Sequence, residues 1–490
     1  MIRITKYALI SLTVIITVNV SAQNNQVLHF MNLPQNHLIN PALKPSNTLF
    51  IGLPLISGVK LNIDNNFVNF SDVFMKGPAG DSVISILNHN YNPDKFLAKI
   101  KDKNTLEAQA AVQLFGLGFS FGKNSYVFLD INERLEGNIN LPKDLFTLFL
   151  KGNKQFLGGK IDLSSLGGDL KYYREVGLGF STNLSSNFRI GIKGKLLFGI
   201  AGLSIDNRSF GLSAPNNYLN TLSADLTLNM SGPVEFKINS DHTIRKVVFD
   251  KNRFKTSGGI FDFLSGKQNT GLGLDFGATY DISDRLMISA AVTDIGFIKW
   301  KKDVTNLLVK SRFEFGGLNI VDVINGTMTF EDLGNELVDT LNKAFSFTGS
   351  HVWYKEKLQY CVTLGGSYNI TENISLGLLS LRRIVNDQVN KSLMFSGNIN
   401  LSNKFSSGLS YTISNHQYAN FGAGMSFRSG IFQFYILSDR IPLMWNKIKI
   451  DRNTTIRIPS RWNTVNFRLG INLVFGNRNR KTDKPMLNVV

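Results

Sequence analysis

The feature that most constrains this chain is a period-two alternation of apolar with small or polar residues, repeated over segments of about ten residues. From Phe405 the odd positions read Phe405, Ser407, Leu409, Tyr411 and Ile413, and the even ones Ser406, Gly408, Ser410, Thr412 and Ser414. Near the end, Val465, Phe467, Leu469, Ile471, Leu473 and Phe475 share a face opposite Asn466, Arg468, Gly470 and Asn472. Leu272, Leu274, Phe276, Ala278 and Tyr280 oppose Gly273, Asp275, Gly277 and Thr279, and Ile190, Ile192, Leu196 and Phe198 oppose Arg189, Lys193 and Lys195. Successive strand side chains point to opposite faces, so each segment reads as a strand with one apolar face. A soluble sandwich alternates as well. The polar face decides: glycine, serine, asparagine and isolated charges suit a watery lumen better than the Lys- and Glu-rich outside of a sandwich.

A short cassette recurs between these runs: Asn or Asp, an apolar residue, Ser or Thr, two polar residues, then an apolar one. It reads Asn183-Leu184-Ser185-Ser186-Asn187-Phe188, Asp281 to Leu286, Asn369 to Ile374 and Asn400 to Phe405. Asn, Asp and Ser bond their own backbone in turns, so each cassette predicts a hairpin. Longer connections, about Gly232 to Gly266 and Ile441 to Arg461, are assigned to the extracellular side. Short turns at one end and long ones at the other are the layout of outer-membrane barrels. The alternating runs predict an all-β, transmembrane antiparallel β-barrel of roughly 14 strands with short helical insertions.

The start of the chain sets the expected compartment. Arg3 and Lys6 precede a mostly apolar stretch from Ala8 to Val18, and Val20-Ser21-Ala22 supplies small residues before Gln23. That is the pattern of a cleaved signal peptide, and the stretch is about half of what a spanning helix needs. The single cysteine, Cys361, excludes an internal disulfide and is far from any lipidation site. The expected organisation is a signal peptide over 1–22, a periplasmic or plug segment over 23–46, the barrel over 47–476 and a basic tail over 477–490.

Three segments break the strand rhythm. Pro142 to Gly152 reads as a short helix with proline at its start and glycine at its end. Thr329 and Asp332 resemble a capping box before Phe330, Leu333, Leu337, Val338 and Leu341. Asp81 to Lys103 is polar and partly helical around Phe96, Leu97 and Ile100. These insertions are expected in the lumen or on the periplasmic rim.

The chain carries none of the sequence motifs for metal-dependent, serine, thiol or phosphate-cradling chemistry. His29, His37, His89, His242, His351 and His416 are far apart and lack carboxylates at ligand spacing, so no catalytic, cofactor or metal site is expected. The formal net charge of +17 is spread through the chain, and behind a signal peptide nucleic acid is excluded as a partner. A basic surface or lumen meets lipopolysaccharide phosphates or an anionic solute, or is simply solvated. Charges inside apolar strands must point inward, because on the lipid face at mid-bilayer they cost a few kcal/mol. Arg189, Lys193, Lys195, Asp275 and Arg468 are therefore candidate lumen-lining residues, either as a selectivity lining or as a salt-bridge network filling the interior.

The stretch Asn40-Pro41-Ala42, Leu49-Phe50-Ile51-Gly52-Leu53-Pro54 and Asn69-Phe70-Ser71-Asp72-Val73-Phe74, with the closing Asn466 to Gly476, resembles an uncharacterised outer-membrane barrel family of the Bacteroidota. By layout that family is similar to FadL-like barrels, which move hydrophobic molecules, and to PorV- and PorP-like barrels of secretion. The resemblance implies the outer membrane and a barrel. Two readings follow: passive transport of a hydrophobic or amphipathic solute, or a non-enzymatic scaffold docking periplasmic or secreted proteins. Outer-membrane lipid and lipopolysaccharide are the expected surroundings of either. The basic tail after Phe475 departs from barrels that end on an aromatic residue.

Overall fold

The computed structural model describes residues 26–76, 83–86, 91–152, 156–214, 220–315, 345–386, 388–401, 404–414, 417–449, 455–459 and 463–476. The expected signal peptide, the expected helix over 330–341 and the basic tail lie outside the described residues.

Fourteen antiparallel strands close into a barrel. The first, β1, is split into Leu49–Gly52 and Val59–Asn65. It is followed by β2 (Lys103–Phe121), β3 (Ser125–Pro142), β4 (Gly167–Asn183), β5 (Phe188–Ala214), β6 (Thr270–Asp281) and β7 (Leu286–Trp300). Then come β8 (Tyr360–Asn369), β9 (Ile374–Val385), β10 (Gln388–Leu401), β11 (Phe405–Ser414), β12 (Gln417–Ser429), β13 (Phe432–Ser438) and β14 (Thr464–Phe475). Each strand pairs with its neighbour in sequence. Closure comes from β1, both halves of which lie between β2 and β14: Ile51 faces Leu117 and Leu473, and Leu61 faces Ala110 and Phe467.

The side chains are inverted relative to a soluble protein. On β5 and β6 the outward Ile192, Leu196 and Leu272 are 44%, 53% and 55% exposed, while the inward Lys193 and Asp275 are 0% and 1% exposed. The alternation read from the sequence is this inversion.

The cassettes are tight hairpins at one end. Leu184, Ile282 and Ile370 donate their N–H to the carbonyls of Phe188, Leu286 and Ile374, each at 2.9 Å. Ser402 of the fourth cassette lies outside the described residues. In these three the Ser or Thr accepts from the same closing residue: Ser185 from Phe188, Ser283 from Leu286 and Thr371 from Ile374, at 3.0–3.2 Å. That contact is why the third position is a hydroxyl.

The opposite end carries the elaborations. Helix α1 (Pro93–Leu97) is capped by the Asn92 side chain, and α2 (Lys143–Lys151) starts after Pro142 and stops at Gly152, whose φ of +69° suits only glycine well. The two helices pack through Phe96 and Phe146 at the far ends of β2 and β3, so they cover this end of the barrel and do not enter the lumen. Beyond the barrel, β5 continues and pairs with Asn220–Ser231, which pairs with Val304–Phe315 and then Ser346–Ser350. This protruding sheet buries Leu307, Val309, Phe345 and Phe347 against the hairpin formed by Val234–Ile238 and Ile244–Phe249. Among the described residues no helix is long and apolar enough to cross a membrane.

Candidate functional site

The lumen is filled from both ends by different means. Residues 26–46 run inside it as two short 3-10 turns, Gln26–Phe30 and Pro34–Leu38, joined by irregular backbone. Gln26, Leu28, Leu33, Gln35, Asn40 and Ala42 are fully buried. The segment re-enters from the short-turn end, because Lys44 reaches the carbonyl of Lys123 and Thr48 pairs with Phe475.

Its polar atoms are matched to the wall. The N–H groups of Gln26 and Val27 donate to the two carboxylate oxygens of Asp439 at 3.0 and 3.1 Å, and the Gln26 amide donates to Ser392 at 2.6 Å. Gln35 and Asn472 exchange amide hydrogen bonds at 2.7 and 3.0 Å. Asn40 donates to the carbonyls of Ala278 and Ala290, and His37 Nε2 lies 2.8 Å from Asp130. His29 meets Ser289 at 3.1 Å, and burial pushes its imidazole down to about 4.

Close approach is licensed by inward glycines. A Cβ on Gly277 would fall 2.0 Å from the Asn40 side chain, and one on Gly191 would fall 2.3 Å from the Pro41 backbone. The glycines that alternate with apolar residues in the strands are thus the seat of the segment. The apolar side is equally specific: Val27, Leu28, Met31, Leu33 and Ile39 pack on Leu379, Met394, Tyr435 and Leu437 of β9, β10 and β13. That is an apolar compartment inside a lumen otherwise lined by polar groups.

Towards the long-connection end the lumen is filled by charge. Lys193 contacts Asp130 and Glu175 at 3.0 and 2.9 Å, and Lys195 contacts Asp275 and Asp294 at 2.7 and 2.5 Å. Arg134 bridges Glu175, Asp294 and Glu136 at 2.7–2.8 Å, and Tyr173 donates to Glu136 at 2.8 Å. Three cations thus face five carboxylates, with His37 of the plug against one of them. Further along, Lys171 lies 3.7 Å from Glu356 and pairs with Asp169, Arg383 pairs with Glu107, and Lys60 donates to Gln109 at 2.9 Å.

Of the five residues singled out by sequence, all point inward and three converge: Lys193, Lys195 and Asp275 share one network. Arg189 is apart, at the short-turn rim, where it donates to Asn183 at 2.7 Å and to Ser181 at 2.7 Å. Arg468 is on β14, opposite Lys60 and hydrogen-bonded to Tyr435. Sequence reasoning missed Asp130, Arg134, Glu136, Glu175 and Asp294. The first three stand at alternate positions of β3, a period-two signal that was present in the chain.

Residues 41–439 match the model of a family described as "Family of unknown function (DUF5723)". No curated protein matches the sequence. Among solved structures, a FadL homologue from Pseudomonas aeruginosa is 11% identical and similar over 94% of this chain and 100% of that one, with a TM-score of 0.40. The toluene transporter TodX of P. putida is 9% identical over 95% and 97% of the two chains, with a TM-score of 0.34. An outer-membrane channel from Pseudomonas putida F1 is 6% identical over 88% and 100%, with a TM-score of 0.27.

Proposed function

The chain belongs to the family of unknown function DUF5723, and we propose that it is an outer-membrane barrel that admits a hydrophobic or amphipathic solute when its N-terminal segment leaves the lumen. A closed barrel leaves no unpaired strand edge, which is what a hydrocarbon environment demands of strands. Its outward Leu, Ile and Phe need that environment, since in water they would expose a continuous apolar band. The long connections and the protruding sheet then face outwards from the cell, and the short turns face the periplasm.

The observation that carries the reading is the apolar compartment of Leu379, Met394, Tyr435 and Leu437, occupied by the protein's own Val27, Leu28, Met31 and Leu33. Occupant and solute are chemically interchangeable. The occupant belongs to no strand, so its departure gives up its own contacts with the wall but breaks no strand-to-strand hydrogen bond. The role is a conduit and not a catalyst, with the charge networks keeping the rest of the lumen closed to bulk flow.

Locking the segment in place tests this. In a variant with Met31→Cys and Gly424→Cys the two new side chains are brought together, since a Cβ added at Gly424 would fall 2.5 Å from the Met31 sulfur. Uptake of an apolar dye into liposomes should stop when the disulfide is formed and return on reduction. Uptake that is indifferent to the lock would overturn the reading. The scaffold reading is favoured by one feature, the protruding sheet, and predicts a stoichiometric partner that is lost when 234–249 is deleted.

A further inference from the structure

Three lysines stand on the outer wall where the apolar band ends: Lys299 on β7, and Lys355 and Lys357 on the short strand Tyr354–Lys357 that pairs with it. They face out because of a bulge. Along β7 the outward residues are first Ile288 and Val292, but Asp294, with φ of +64°, turns into the lumen and shifts the parity. From there Ile295, Phe297 and Lys299 face outwards, while Ile298 and Trp300 are fully buried.

The pairing register sets Lys299 directly opposite Lys355, and Phe297 directly opposite Lys357. Like charges directly opposite on a sheet are destabilising, which makes the arrangement a cost to the empty protein. Two neighbouring cations are neutralised: Lys302 pairs with Asp262 at 2.7 Å, and Arg253 pairs with Asp303. Lys299, Lys355 and Lys357 have no carboxylate within 4.0 Å among the described residues. Two of them rest on rings, Lys299 Nζ 3.8 Å from the centre of Trp353 and Lys355 Nζ 3.7 Å from that of Phe297. A ring holds an ammonium in place without consuming its N–H donors. Immediately towards mid-barrel lie the exposed Leu272, Leu274, Ile295 and Tyr360.

We propose that this juxtaposition of Lys299, Lys355 and Lys357 with Phe297 and Trp353 above an apolar wall is a binding site for a phosphate-bearing lipid, whose headgroup phosphate bridges the lysines while its acyl chains lie along the band. The chemistry follows from the parts. Clustered cations at a membrane surface attract anionic headgroups, aromatic rings settle at the interface, and a soluble anion has no use for the apolar wall. The bound phosphate removes the repulsion between Lys299 and Lys355. The site rests on the reading of the barrel as a membrane protein.

The test is native mass spectrometry of the full chain released from phosphatidylcholine nanodiscs containing a minority of diphosphoryl lipid A. Lysines at a membrane surface contribute roughly fivefold each, so K299Q/K355Q/K357Q should retain lipid A on the order of a hundredfold more weakly. The triple arginine variant should retain it, and K447Q, on the separate hairpin of Trp445–Lys449 with Thr455–Pro459, should match the unchanged protein. Equal retention by the glutamine variant overturns the site. Displacement by millimolar inorganic phosphate, or equal retention of dephosphorylated lipid A, overturns the assignment to a lipid phosphate. Barrel integrity is read separately from heat-modifiable gel mobility. A folded chain that fails to enter nanodiscs at all overturns the membrane reading itself, and with it the site.

Discussion

His29 is the residue through which acidity would reach the lumen. Its docked pKa of about 4 is below the ordinary 6.5, so the docked state holds it neutral while the undocked state takes up a proton first. Docking is therefore fully stable above about pH 6.5 and loses up to about 3 kcal/mol as pH falls to about 4. Hydrogen exchange over 26–40 should quicken across that window, and His29→Asn should flatten the change. The glycine seat makes a second residue-scale prediction. Gly277→Val sets a branched side chain against Asn40 and should undock the segment at about 1–3 kcal/mol, read as new protease sensitivity between 26 and 46 with barrel mobility unchanged. Lys193→Met is different in kind, since it strands Asp130 and Glu175 in a buried network and should cost about 3–5 kcal/mol, visible as a lower melting temperature of the whole barrel. At this scale the sequence was readable wherever parity held. Lys193, Lys195 and Asp275 stood among apolar neighbours, and inward was the only inexpensive direction. Asp294 was not singled out, because it stands beside Thr293 where the parity of β7 changes, and the bulge that turns it inward is set by pairing across β6.

Among the elements, the strands announced themselves and the plug did not. A barrel strand has a periodic signature because each of its faces meets a single environment along its length. Residues 26–46 meet a different wall at every step: serine at Gln26, apolar residues at Leu28 and Leu33, a carboxylate at His37 and backbone carbonyls at Asn40. No period can report such a path, and only its position before the first strand hinted at it. The 27 residues of β5 were opaque for another reason, since the same alternation continues from the barrel into the protruding sheet. The split in β1 likewise leaves Leu55 and Ile56 looking like ordinary strand residues, although they lie in the gap between its halves. Because the plug supplies no barrel strand, deleting 26–40 should leave heat-modifiable mobility intact while raising dye entry into liposomes. Loss of the folded band on deletion would instead make the plug part of the barrel's own stability.

For the whole molecule, the deciding property is that its polar groups are inside and its apolar groups outside. The arrangement explains how a chain of 490 residues folds without a solid apolar core and with a single cysteine. Hydrogen-bonded strands and ion networks hold the interior, and in the proposed membrane setting burial of the outer band is left to the lipid. Stability must then respond to outward substitutions according to depth, unlike in a water-soluble barrel. Leu274 is on the band of β6, 44% exposed and flanked across β7 by Ile295, whereas Asp284 is in the short turn beyond β6. Leu274→Arg should lower unfolding stability in bilayers by roughly 2–4 kcal/mol, and Asp284→Arg by less than about 1 kcal/mol. The comparison is made by denaturant titration of the refolded protein in lipid vesicles. Equal and small effects at both positions would mean that the band at Leu274 does not face hydrocarbon, and the location proposed for this barrel would fail with it.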